Sequence, residues 1–263
     1  MPTVIAIEAK PVEFRGIDTG FLHLYLVKTV TDDQGRVISE KVIRGTAGSN
    51  GDLETLVDAD LATSVDRRGS DTPEERSREV LDLGTRDAND VWKIMVQHAI
   101  NIEKADLDYS IDIFREAPGG DLNSNSVVAS VLHSVGLNLT TSFPDGVRRS
   151  DAPLYGQLQY MSVDDALSGT GSNDRIMGGI GNDRLSGGRG NDTLSGESGN
   201  DRIYGSSGDD RLSGGSGDDR LYGGWGADSF RGGDGKDAFV FYCKATETNI
   251  DTIRDFSIAD DTI

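Results

Sequence analysis

A single cysteine, Cys243, in 263 residues excludes any intrachain disulfide, so covalent cross-links cannot staple this fold. No run of about 18 apolar residues occurs, which leaves no transmembrane helix in the sequence. Residues 1–10 lack a basic start followed by an apolar core and do not read as a Sec-type signal peptide. Basic residues are scarce: 26 Lys and Arg face 45 Asp and Glu, a formal charge of −19. That balance disfavours nucleic acid and anionic membrane surfaces as partners. Catalytic signatures are thin as well. His-Glu-x-x-His is absent, Gly-x-Ser-x-Gly does not occur ahead of residue 169, and Gly119-Gly120 leads into no Gly-Lys-Ser/Thr.

Glycine is abundant, at 34 residues, and it is ordered. Eight nine-residue units run from Gly169 to Val240 on the pattern Gly-Gly-x-Gly-(Asn/Asp)-Asp-x-apolar-x. The sixth position places Asp174, Asp183, Asp192, Asp201, Asp210, Asp219, Asp228 and Asp237. Two residues later stand Ile176, Leu185, Leu194, Ile203, Leu212, Leu221, Phe230 and Phe239. A flexible glycine-rich linker has no reason to keep an aspartate and an apolar residue in one register.

The spacing predicts a turn over positions one to six and a short strand over seven to nine. Glycine reaches the positive φ of a tight turn at little steric cost. It also bares main-chain carbonyls, which together with a carboxylate are the ligands a hard cation takes. Candidate ligands are therefore the eight aspartates and the first- and fourth-position glycines Gly178, Gly181, Gly187, Gly190, Gly196, Gly199, Gly205, Gly208, Gly214 and Gly217. One apolar side chain per unit makes a thin core, set against more than about 1 kcal/mol of backbone entropy per ordered residue. Aligned aspartates repel one another until a cation neutralises them. Metal binding and folding are expected to be one event.

The nonapeptide resembles the calcium-binding repeat of RTX (repeats-in-toxin, hemolysin-type) proteins. The resemblance implies a parallel β-roll in which two nonapeptides make one coil. Asp183 would then share an ion with Asp201, Asp192 with Asp210 and Asp201 with Asp219, and eight units would hold at most six Ca²⁺. The first unit, Gly169 to Asp174, lacks glycine at positions two and four, and Glu197 and Ser206 replace the second glycine elsewhere. The resemblance further implies an extracellular protein exported by a type I secretion machine, with a cell-surface or host target among its possible partners. Asp251-Thr252-Ile253-Arg254-Asp255-Phe256 resembles the element that closes such rolls. Ile263 then stands in what reads as mid-strand, so a truncated C-terminus is expected.

Residues 1–165 read as an α+β domain ending in a linker, and residues 166–263 as the all-β roll with its cap. Strands are expected over 3–8, 21–30 and 37–44, with a turn at Asp33-Gln34-Gly35. A helix over 87–104 carries Trp92, Met95, Val96 and Ala99 at helical spacing. A second, over about 125–135, carries Val127, Val128, Val131, Leu132 and Val135 and stops at Gly136. The strand with His23, then Asn123-Ser124-Asn125-Ser126-Val127-Val128 at a helix start, weakly resembles circularly permuted papain-like hydrolases and acyltransferases. That resemblance implies His23 as base and Ser124 in the place of the cysteine nucleophile. Ser124 also suits a helix N-cap. His98 and His133 read as flanking or solvated residues. Two further readings stay open, a secreted hydrolase or acyltransferase and an adhesin or matrix protein.

Overall fold

The computed structural model describes residues 1–14, 17–47, 53–61, 77–105, 107, 124–138, 162–242 and 249–263. They form two compact units, one from Met1–Gly84, Ile102–Leu132 and Asn138–Leu158, the other from Thr85–Asn101, His133–Leu137 and Gln159–Ile263.

The first unit is built on an antiparallel sheet of β1 (Thr3–Phe14), β2 (Ile17–Thr31), β3 (Val37–Ala47), β4 (Leu53–Asp60) and β5 (Ser77–Val80), in the order β4-β3-β2-β1-β5. The strands run longer than sequence pattern alone indicates, because cross-strand pairing carries β1 and β2 through residues without clean alternation. Asp32 fixes the β2–β3 turn by accepting from the Gln34 and Arg36 amides, and Gly35 takes the left-handed φ of 79° there. Alternation buries both faces: Ile5, Ile7, Leu24, Leu26 and Ile43 on one, Tyr25, Val27 and Val42 on the other.

Helix α1 (Ala88–Lys104) begins after Asp87, whose carboxylate accepts from the Asn89 and Asp90 amides as an N-cap. Val91, Trp92, Ile94, Met95, Ala99 and Ile102 are buried, and Val96 is half-buried. Helix α2 (Ser124–Ser134) buries its valine and leucine stripe. Gly136 closes it at φ 68°, its amide donating to the His133 carbonyl at 2.7 Å.

The second unit contains the parallel β-roll. Strands β6 (Ala166–Ser168), β8 (Arg184–Arg189), β10 (Arg202–Ser207), β12 (Arg220–Trp225) and β14 (Ala238–Val240) form one sheet. Strands β7 (Arg175–Ile180), β9 (Thr193–Ser198), β11 (Arg211–Ser216), β13 (Ser229–Asp234) and β15 (Thr252–Ile253) form the other. Consecutive units alternate between sheets, so each strand pairs with the one 18 residues away, Arg202 with Arg184 and Arg220. Each full repeat strand spans six residues, positions seven to nine and the next one to three, leaving only three for the turn. The expected three-residue strand was too short because the second-neighbour unit also supplies ladder partners to positions two and three. Leu185, Ile203, Leu221 and Phe239 face Ile176, Leu194, Leu212 and Phe230 in a thin buried core.

The roll begins ahead of the repeats. Ser162 bridges to Ile180, and the Val163 amide donates to the Ile180 carbonyl at 2.8 Å. Beside β6, Gln97 of α1 acts as a short strand would: its amide donates to the Ser168 carbonyl at 2.9 Å and accepts from the Ser168 amide at 2.8 Å. At the far end, the Asp255 carboxylate accepts from the Gly232 and Gly233 amides, and the Phe256 ring lies 6.1 Å from Phe239.

Candidate cation site

Each sixth-position aspartate is buried, and from Asp183 to Asp237 its two oxygens do different things. Oδ1 accepts the main-chain amide of the aspartate 18 residues earlier: Asp183 to Asp201 at 2.8 Å, Asp192 to Asp210 at 2.8 Å, Asp201 to Asp219 at 2.8 Å, Asp219 to Asp237 at 3.0 Å. Oδ2 is buried without a hydrogen-bond partner in Asp183, Asp192, Asp201, Asp210, Asp219, Asp228 and Asp237. A buried, unpartnered carboxylate oxygen is costly, and seven in one repeating series require a common cause.

The glycines open the space in front of these oxygens. A Cβ on Gly178, Gly187, Gly196, Gly205, Gly214, Gly223 or Gly232 would collide with the Oδ2 of the aspartate five residues on. Carbonyls reach the same space; that of Gly196 lies 2.8 Å from the Cβ position of Gly178, and that of Gly232 lies 2.6 Å from that of Gly214. Fourth-position glycines are required for another reason. Gly199, Gly208, Gly217, Gly226 and Gly235 sit at φ between 123° and 135°, each against the carbonyl of the fourth-position glycine 18 residues earlier. At the second position Glu197 and Ser206 adopt φ of 78° and 84° despite their side chains. Glu197 also holds His133, whose Nε2 lies 2.7 Å from its Oε2.

Burial, opposed by the main-chain hydrogen bond and reinforced by neighbouring carboxylates, pushes the Asp183 carboxyl up to about 8. Burial likewise pushes Asp192, Asp210 and Asp219 to about 7 and Asp201 and Asp228 to about 6. Asp174 and Asp237 are raised for the same first cause. Among the described residues no three His, Cys, Asp or Glu side chains gather as a metal centre. An all-oxygen donor set with one carboxylate per unit fits a hard divalent ion and not a thiolate- or imidazole-seeking one.

The first coil differs. Asp174 Oδ2 accepts from the Thr170 amide at 2.6 Å and its hydroxyl at 3.0 Å. Asp165 occupies the sixth position of a glycine-free unit, Asp164-Asp165-Ala166-Leu167, and its amide donates to Asp183 Oδ1 at 2.7 Å. Both Asp165 oxygens are satisfied from α1, Oδ2 by His98 Nδ1 at 2.7 Å and Oδ1 by Asn101 Nδ2 at 2.8 Å. His98 is therefore a buried partner and not the flanking or solvated residue its place beside the apolar stripe indicates. The columns also run past the repeats, with Asp251 Oδ1 accepting from Asp228 and Asp261 Oδ1 from Asp237.

A second ladder lies outside the first. The fifth-position side chains of Asn173, Asn182, Asn191, Asn200, Asp209 and Asp218 each accept the amide 18 residues later, as Asn182 Oδ1 does from Asn200 at 3.0 Å. The recurrence of Asn or Asp at that position carried this signal.

The sequence-proposed pair in the first unit is placed only through its neighbours. The side chains of His23 and Ser124 lie outside the described residues, as do residues 108–123, 139–161 and Cys243. Ser124 is the first residue of α2, and the Leu24 amide donates to Asn125 Oδ1 at 2.8 Å in a buried contact.

A parallel solenoid of nonapeptides with one inward carboxylate per unit defines a calcium-binding repeat protein. Residues 168–203 and 204–238 match the family model of the RTX calcium-binding nonapeptide repeat, a model of four copies. Residues 168–238 are accordingly calcium-binding repeats of the RTX type. Comparison with curated proteins and with solved structures finds no match for the chain.

Proposed function

We propose that the roll is a calcium-ordered module of a secreted protein, exported unfolded by a type I machine and folded where calcium is plentiful. The observation that carries this reading is the row of seven buried, unpartnered Oδ2 atoms. In it, calcium is held between second-neighbour units by Asp183, Asp192, Asp201, Asp210, Asp219, Asp228 and Asp237 with the carbonyls of the glycine turns. Asp251 and Asp261 extend the two columns. Bound calcium supplies the charge that lets these carboxylates stay ionised in the interior, and the chain supplies the register. Residues 1–165 form the effector or binding domain that the roll, residues 166–263, carries. Far-ultraviolet circular dichroism during a calcium titration tests the reading. The β signal should rise as calcium reaches roughly 10⁻⁴–10⁻³ M, the range of extracellular modules, and fall on adding a chelator. A roll equally ordered in excess chelator overturns it.

A second reading concerns the first unit, as a hydrolase or acyltransferase with His23 as base and Ser124 as nucleophile. The Leu24–Asn125 hydrogen bond favours it, because the residues next to His23 and Ser124 are in contact. An acyl-directed activity probe that labels the wild type and not Ser124→Ala supports this reading. Binding to a cell surface without labelling supports an adhesin or matrix role.

A further inference from the structure

One sheet of the roll carries cations in register. Arg184, Arg202 and Arg220 occupy the seventh position of their repeat units, where β8, β10 and β12 begin, and pair directly across the ladder. All three are exposed, and successive strands place them about 4.8 Å apart along the roll. With Asn182, Asn200 and Lys236 they line a shallow trough whose floor includes the buried Asp183, Asp201 and Asp219 and in which Asp218 is the one exposed carboxylate among the described residues.

The rail is braced. Arg184 lies with its guanidinium carbon 4.5 Å over the Tyr204 ring and donates to the Tyr204 hydroxyl at 3.0 Å. Tyr204 stacks on Tyr222 at 4.5 Å, and Tyr222 on Tyr242 at 5.5 Å. The bracing fixes the end of the arginine row and covers the facing sides of the tyrosines with one another.

We infer that the calcium-loaded roll binds an acidic polysaccharide along this arginine trough. The inference rests on the calcium reading above. Residues 169–240 hold 12 acidic and 8 basic side chains, and six doubly charged ions would turn that deficit into a positive excess. The trough is then cationic only when calcium is present. Guanidinium groups at one strand spacing match an extended pyranoside chain bearing a regular series of carboxylates or sulfates, with the Asn182 and Asn200 amides set for hydroxyls. Single-stranded nucleic acid fits poorly, because no aromatic side chain among the described residues lines the trough to stack a base.

The test uses the full chain in about 10⁻³ M calcium, with a heparin decasaccharide as the sulfated probe and a hyaluronan decasaccharide as the carboxylate-only probe. Fluorescence anisotropy should show binding of at least one of them, lost in chelator and weakened by salt. The triple variant Arg184→Gln, Arg202→Gln, Arg220→Gln should lose about tenfold or more, while Arg211→Gln on the opposite sheet should not. Circular dichroism on the same samples reports calcium-driven folding separately, so failure of the calcium reading is distinguishable from failure of this one. Unchanged binding by the triple variant, no binding of either probe by a folded roll, or equal binding of an oligothymidylate overturns the inference.

Discussion

Replacing Asp219 with asparagine should move the roll in opposite directions depending on calcium. Asp219 Oδ1 accepts from the Asp201 amide at 2.8 Å, while Oδ2 is buried and unpartnered. Burial raises the carboxyl from 3.8 to about 7. The folded form therefore binds a proton that the unfolded chain has already lost, and at neutral pH the ionised group opposes folding. A tenfold change in proton affinity is worth about 1.4 kcal/mol, so a rise from 3.8 to about 7 sets a ceiling of about 4 kcal/mol. Asparagine keeps the Oδ1 acceptor, removes the charge and turns an amide donor toward the space it shares with the Gly232 carbonyl. In chelator at about pH 7.5, Asp219→Asn should show more β signal and a higher melting temperature than wild type. At about pH 3 the difference should vanish, because the carboxyl is then largely protonated in both states. In calcium the order reverses, with the titration midpoint moved to about tenfold higher calcium as one charged ligand is lost. A variant that is less ordered than wild type in chelator at neutral pH, by the same margin as in calcium, would refute the assignment of Oδ2 as a cation ligand.

Four further outcomes follow from the same geometry. Asp201→Ala should weaken calcium binding more than Asp174→Ala by calorimetric titration, since Asp174 Oδ2 is satisfied by Thr170 and Asp201 Oδ2 is not. In chelator, wild-type β signal should fall as pH rises from about 4 to 8, since raised carboxyl pKa values make the folded form the better proton binder across that window. His98→Ala should destabilise the calcium-loaded roll by about 1–3 kcal/mol and speed amide exchange at residues 163–168, because Asp165 loses a buried partner. Ser206→Gly should raise stability by about 1 kcal/mol in thermal melts, relieving a side chain held at φ 84°.

The repeats were legible because one period fixes strand, turn, core and carboxylate together. What escaped them was the direction of each bond. Nothing in the nonapeptide says that the sixth-position side chain reaches back 18 residues while the fifth reaches forward. Asp165 was hidden because its unit has no glycine, and Asp251 and Asp261 because their spacings from Asp228 and Asp237 depart from 18. His98 looked like a flanking residue since its partner lies 67 positions away. In the first unit, the α+β class followed from helical and alternating patterns. The length of β1 and β2 did not, since pairing and not propensity sets it.

Two-way reach between second neighbours gives the roll a quantum of growth. Adding or deleting 18 residues inserts or removes a whole coil and leaves every downstream residue on its own sheet, with both ladders rejoined. A nine-residue change instead exchanges the sheets: the row holding Arg202 and Arg220 would fall opposite Arg184, and the Tyr204–Tyr222 stack would part from it. A cation still finds carboxylates after either change, since both columns carry them. Surface rows do not survive the odd step. Gene duplication can thus lengthen the metal-binding stack freely, but only in even numbers of units if a surface motif along it is to be kept.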